Sequence, residues 1–254
     1  MTKWKTLIGY LQRTAPRCVV HVRGDKYLAA LKFTGRLLLL FVLSRAWGGS
    51  FTNTGGMNYP RALHSATLLL DGKVLVGGGE YGRRTTELYD PLTGTWSLTG
   101  NLVETNDSVY FFRIGHTAVR LADGRVLMLG GGVVYFDGGS GVESYDPING
   151  TWTAAAPMAV AQVYPPAALL PDGRVVVGNG NGVELYDPIT GSWGSGPTNL
   201  PCSGPAFLLP NGKVLFAGSA VLYDPNSDAL TQTGAMNFPR ANFTMTQLFD
   251  GKVL

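Results

Sequence analysis

Between residues 57 and 102 short apolar runs alternate with polar breakers. His64-Ser-Ala-Thr-Leu-Leu-Leu70 is long enough for one strand and apolar enough to be buried on both faces. Asp71-Gly72 interrupts it, Lys73-Val-Leu-Val76 returns, and Gly77-Gly78-Gly79 closes the return. A polar stretch, Glu80 to Thr85, leads to a third run, Thr86-Glu-Leu-Tyr89. Asp90-Pro91-Leu-Thr-Gly94 has turn chemistry, and Trp96 opens a fourth strand that runs out at Thr99-Gly100. The pattern predicts a four-stranded antiparallel meander that begins after Met57-Asn-Tyr-Pro-Arg61, where Pro60 breaks incoming structure. At Asp71-Gly72 it predicts a two-residue type I′ turn with positive φ at both central residues.

The same phrase returns. Its Asp/Asn-Gly step sits at Asp71, Asp123, Asp172, Asn211 and Asp250, spaced 52, 49, 39 and 39 residues apart. A period of about 40–50 residues marks a repeat architecture in which each unit buries its apolar face on its neighbours. Tyr-Asp-Pro recurs at Tyr89, Tyr145, Tyr186 and Tyr223, and six residues after each Asp stand Trp96, Trp152, Trp193 and Leu230. No apolar spacing of three and four residues is visible, which excludes a helical solenoid. Four strands per unit with an aromatic at a fixed offset predict an all-β propeller. The units fall at about 57–102, 103–158, 159–200, 201–236 and 237–254, the last one cut short inside a strand. An unpaired strand edge is an aggregation hazard, so residues 50–254 read as an incomplete propeller of about four to five blades from a larger protein.

Arg61, His64, Asp71-Gly72, the Gly77–Gly79 run, Tyr89-Asp90 and Trp96 together resemble the kelch motif. The wording is similar to that of galactose-oxidase-like propellers and covers about 200 residues from Ser50 onward. It is specific in the first unit and fades later: Ala217-Gly218-Ser219 replaces the glycine pair, and Leu230 the tryptophan. The resemblance implies a propeller of about six or seven blades. It also raises a copper radical oxidase, whose ligands would include a Tyr-His pair ahead of an Asp-Gly hairpin, a further histidine, and a tyrosine cross-linked to a cysteine. Here Leu63 precedes His64 and Gly115 precedes His116, while Pro165 and Phe243 hold the histidine position of the third and fifth units. No catalytic residue, metal ligand or cofactor is therefore carried over.

Charge divides the chain. Residues 1–49 form a basic leader; the first fifty residues hold nine of the 20 Lys/Arg and only one acid, Asp25. The remainder has 11 basic and 16 acidic side chains, a balance that argues against nucleic acid as partner. The leader ends in Leu37-Leu-Leu-Leu-Phe-Val-Leu43 and Ser44-Arg45-Ala46, too short an apolar run to span a bilayer. It has the layout of a secretory signal, which would place the protein outside the cell or at its surface; a disordered segment is the other reading. Three Asn-x-Ser/Thr sites, at Asn106, Asn149 and Asn242, matter only in that case. Cys18 and Cys202 cannot make a disulfide framework or a zinc ligand set.

His64 and His116 both lie seven residues before their Asp-Gly, and Arg61, Arg113 and Arg240 lie ten before theirs. Repeated register predicts a structural role, the same side chain making the same inter-blade hydrogen bond in each unit. The second unit departs most from the pattern, with an insertion at 103–112 and a longer 133–142 loop. Its aromatics Tyr110, Phe111, Tyr135 and Phe136 are the candidate binding-loop residues, since loops on one propeller face carry recognition. The expected function is a scaffold that binds a protein or another ligand through its blade loops. The alternatives are a copper oxidase with its site elsewhere in a longer chain and a carbohydrate-binding surface module.

Overall fold

The structure, a computed structural model, describes residues 53–82, 84–103, 113–132, 138–238, 240, 243–246, 248 and 252–253. The chain divides into two units, Met1–Thr52 and Asn53–Leu254, and the leader expected at 1–49 lies outside the described residues. The second unit is all-β and propeller-like, and no described residue is helical. Nor is any helix there long and apolar enough to cross a membrane.

Four sheets of four antiparallel strands follow one another in chain order. The first holds β1 (Ser65–Leu68), β2 (Val74–Gly77), β3 (Thr86–Asp90) and β4 (Thr95–Thr99). The second holds β5 (Thr117–Arg120), β6 (Val126–Leu129), β7 (Val142–Asp146) and β8 (Thr151–Ala155). The third holds β9 (Ala167–Leu169), β10 (Val175–Asn179), β11 (Gly182–Asp187) and β12 (Ser192–Thr198). The fourth holds β13 (Ala206–Leu208), β14 (Val214–Phe216), β15 (Val221–Asp224) and β16 (Ala229–Gln232). Each is a meander with its strands paired in sequence, so every sheet is one blade. First strands of successive blades pack together, β1 on β5, β5 on β9 and β9 on β13, which sets them innermost.

The core is a set of layers between blades, because the period-2 alternation of a strand sends neighbouring side chains to opposite faces. In β6, Val126 and Met128 pack with Leu75 and Leu102 of the first blade. Leu127 and Leu129 of the same strand pack with Val175 and Val177 of the third. Phe216, Val214 and Tyr223 close the next layer against Val176 and Leu185. Both faces of these strands are therefore covered, and β6 is buried at every residue. That is why the returning strands read as unbroken apolar runs.

The hairpin turns differ from the expected type I′. At Asp71-Gly72 only Gly72 has positive φ. The Gly72 N–H donates to Leu69 O and the Leu69 N–H to Lys73 O, a type I turn followed by a left-handed glycine. The same pair of bonds recurs at Leu121/Gly124/Arg125, Leu170/Gly173/Arg174 and Leu209/Gly212/Lys213. The aspartate takes another role: Oδ1 of Asp71, Asp123, Asp172 and Asn211 accepts the N–H two residues on. This Asx bond favours the ordinary right-handed conformation there, leaving positive φ to glycine alone. In the fifth unit the Leu248 N–H donates to Lys252 O, the frame of the same hairpin.

Candidate functional site

In an antiparallel meander the first-to-second and third-to-fourth connections leave from one side, and the second-to-third and blade-to-blade connections from the other. The Asp-Gly and Tyr-Asp-Pro turns thus share a turn side. The glycine runs, the arginines and the histidines share the opposite side.

On that opposite side each of the first two blades holds a buried ion pair. Arg61 donates to Glu87 at 3.0 Å, with both side chains wholly buried, and to Thr85 O and Gly78 O. Arg113 donates to Glu143 at 2.5 Å and to the carbonyls of Gly130, Gly141 and Met128. These contacts lie within a blade, which corrects the inter-blade role expected for the arginines: the guanidinium ties the incoming chain to its own β3 or β7. The second carboxylate oxygen takes a backbone donor, Asn58 N–H on Glu87 and Val103 N–H on Glu143. Burial opposes the charge of Glu87, but the donors from Asn58, Arg61 and Tyr59 outweigh it and hold its pKa below the ordinary value.

Of the two histidines in this register, expected to make the same bond, His116 makes the bond between blades while His64 is exposed. His116 is buried, with Nδ1 at 2.9 Å from Arg113 O and Nε2 at 2.9 Å from Ser65 Oγ of the first blade. Burial first, and the Arg113 cation second, lower its pKa to about 4, so the ring is neutral at physiological pH. The glycines alongside allow the close approach: a Cβ on Gly78 would stand 2.7 Å from Arg113 O. The Gly79 N–H donates to that same carbonyl and the Gly131 N–H to Gln162 O, which stitches each blade to the next.

The third and fourth blades depart from this scheme. At the arginine position the third has Gln162 and the fourth Pro201; at the glutamate position they have Glu184 and Val221. In the fourth both charges are gone and Val221 is fully buried. In the third only the cation is gone. Glu184 is 4% exposed and its Oε2 still accepts the Ala159 N–H at 2.9 Å, but Oε1 has no partner, nor has the buried Nε2 of Gln162.

A cavity of about 730 Å³ opens here, where the chain enters the inner strands of the second to fourth blades. Its wall includes Gln162, Tyr164, Asn179, Ser203, Arg240 and Phe243. Tyr164 is 58% exposed and held at φ +52°, a left-handed conformation that costs a non-glycine residue about 1–3 kcal/mol. The candidate residues Tyr110, Phe111, Tyr135 and Phe136 lie outside the described residues. Val103 and Arg113, which bound the first pair's segment, and Gly132 and Gly138, which bound the second pair's, all sit at connections of this side. None of the described wall residues was singled out from the sequence for binding. Gln162 carried a readable signal, as the residue that breaks the arginine register.

The copper centre raised by the resemblance finds no fit among the described residues. Both ring nitrogens of His116 are engaged, and no three His, Cys, Asp or Glu side chains stand close enough to hold a metal. Cys202 is buried and its thiol pushed up to about 12, which removes its nucleophilic form.

No family model matches the chain. F-box protein AFR of Arabidopsis thaliana is 33% identical to it over 120 residues, 44% of this chain. The chain spans only 28% of that relative's length.

Proposed function

We propose that the chain is a kelch-type propeller scaffold that binds a protein partner on the side bearing the cavity. The observation that carries this reading is the cavity itself, about 730 Å³ with the strained, exposed Tyr164 in its wall. A buried ion pair, Arg113 with Glu143, closes the second blade beside it, while the connections on this side vary in length from unit to unit. Similarity to an F-box protein supports a protein partner, and the repeating Arg, His, Gly, Tyr and Trp positions, each with its own bond in the fold, support the kelch type. A photocrosslinking residue placed at Tyr164, compared with one at Ile189 on the turn side, tests it in the native host. A discrete protein adduct from position 164, competed away by excess unmodified chain, is expected. Adducts of equal yield from both positions, or only from 189, would refute the choice of face.

A further inference from the structure

The polar groups left over in the third blade mark a position built for a cation. In the second blade, Glu143 divides its carboxylate between the Val103 N–H on Oε2 and the Arg113 guanidinium on Oε1. In the first blade Glu87 Oε2 takes the Asn58 N–H, and Oε1 takes Arg61 together with the Tyr59 N–H. Glu184 repeats the first half of this arrangement, Oε2 on the Ala159 N–H, so its Oε1 faces the place that a guanidinium occupies in the neighbouring blades. The other acceptors of that place are backbone carbonyls, Gly130 and Gly141 around Arg113, whose counterparts in the third blade are Asn179, which already accepts the Cys202 N–H at 3.0 Å and has one lone pair left, and Gly182.

What is missing is the donor. A glutamine side chain ends two heavy atoms short of an arginine guanidinium, and Gln162 places its Nε2 in the interior with no partner. A carboxylate oxygen buried without a donor is disfavoured, and such a group in a fold calls for an explanation. Gln162 and Asn179 both lie in the cavity wall, and Glu184 Oε1 lies buried behind them.

We infer that this position is a receptor slot for a guanidinium group supplied from outside the chain, the side chain of an arginine on the bound partner. The guest guanidinium would donate to Glu184 Oε1 and to the neighbouring carbonyls, as Arg113 does to Glu143 one blade earlier. Gln162 would turn toward the cavity mouth to admit it. Arg240 in the same wall is exposed to solvent, where salt screens its repulsion. The inference rests on the cavity side being the binding side, and it names the chemistry recognised there.

Nα-acetyl-argininamide is the probe, with Nα-acetyl-citrullinamide as its uncharged isostere, each titrated into the whole chain and followed by thermal shift and by the side-chain amide NMR signals of Gln162. The arginine probe should bind saturably and move the Gln162 signals. The citrulline probe should bind at least about tenfold more weakly, as loss of a charge-assisted hydrogen bond implies. Gln162→Arg supplies the guanidinium from within, and that variant should melt higher than the wild type and lose the probe response. Glu184→Gln should lose the response too. Equal response to both probes, or a response that survives Gln162→Arg, would overturn the slot. A missing arginine response alongside intact Tyr164 crosslinks would refute the slot and leave the protein-binding side standing. An arginine response without crosslinks would do the reverse.

Discussion

The second and fourth blades solve one problem in opposite ways. Where the chain enters a blade beside its third strand, the second blade buries Arg113 against Glu143, and the fourth buries Val221 with Pro201 at the arginine position. Exchanging both members of a buried ion pair for apolar groups is often neutral, whereas removing one strands a charge at a cost of about 3–5 kcal/mol. The fourth blade shows the complete exchange. The third, with Gln162 and Glu184, is halfway, the arrangement least favourable in isolation. The pair is thus one device among several for closing a blade, and only the third blade leaves its carboxylate half-answered.

The largest effect should come from making the second blade resemble the third. Arg113→Gln should lower stability by about 3–5 kcal/mol in equilibrium urea unfolding. Arg113→Met combined with Glu143→Val, a copy of the fourth blade's solution, should recover most of that loss. A double variant no more stable than the single one would show that the fourth blade depends on something other than the absence of charge.

Next comes pH. The folded His116 has its pKa near 4 and the unfolded chain near 6.5, so between those values the unfolded state binds the extra proton. Stability is then complete above about pH 6.5 and declines toward pH 4, by about 3 kcal/mol in all. His116→Gln should remove most of that decline, leaving the part due to His64, whose pKa burial and then Arg61 also lower. The third blade, with Pro165 at this position, has no such sensitivity, so a slope that persists in the variant would trace to another group.

Smaller and opposite in sign is Gln162→Arg, which supplies the donor the third blade lacks and should raise stability by about 1–3 kcal/mol. Smallest is Asn211→Asp. The first three hairpins pair their Asp with the following Lys or Arg, while Asn211 has no charge and Lys213 pairs instead with Asp224 at 3.0 Å. Restoring the carboxylate only redistributes exposed ion pairs, and the melting temperature should not move.

Much of the blade was legible in the sequence. The expected strands at 64–70, 73–76, 86–89 and from 96 appear as Ser65–Leu68, Val74–Gly77, Thr86–Asp90 and Thr95–Thr99. The aromatic at fixed offset is a cross-strand partner, with Tyr89 and Trp96 rings 5.0 Å apart and the pair repeated at Tyr145–Trp152 and Tyr186–Trp193. The turn was misread because Asp-Gly suits two geometries, and a hydrogen bond from the residue after the glycine decides between them. The glutamate two residues before the tyrosine, at 87, 143 and 184, recurs as regularly as the arginine. It went unread because a charge in an apolar run suggests a solvated face, not a buried partner.

In the sequence alone, strand positions follow from apolar periodicity, and the places of the turns, though not their type, from Asp, Pro and Gly. These depend on neighbours along the chain, whose spacing the backbone sets. Only the tertiary structure decided that Arg61 reaches Glu87 across 26 residues, that His116 bridges to Ser65 across 51, and that Gln162 and Glu184 are left unanswered beside a cavity. Such partners are chosen by how strands register and blades stack, and a buried polar group shows whether it is paired only once its surroundings are assembled.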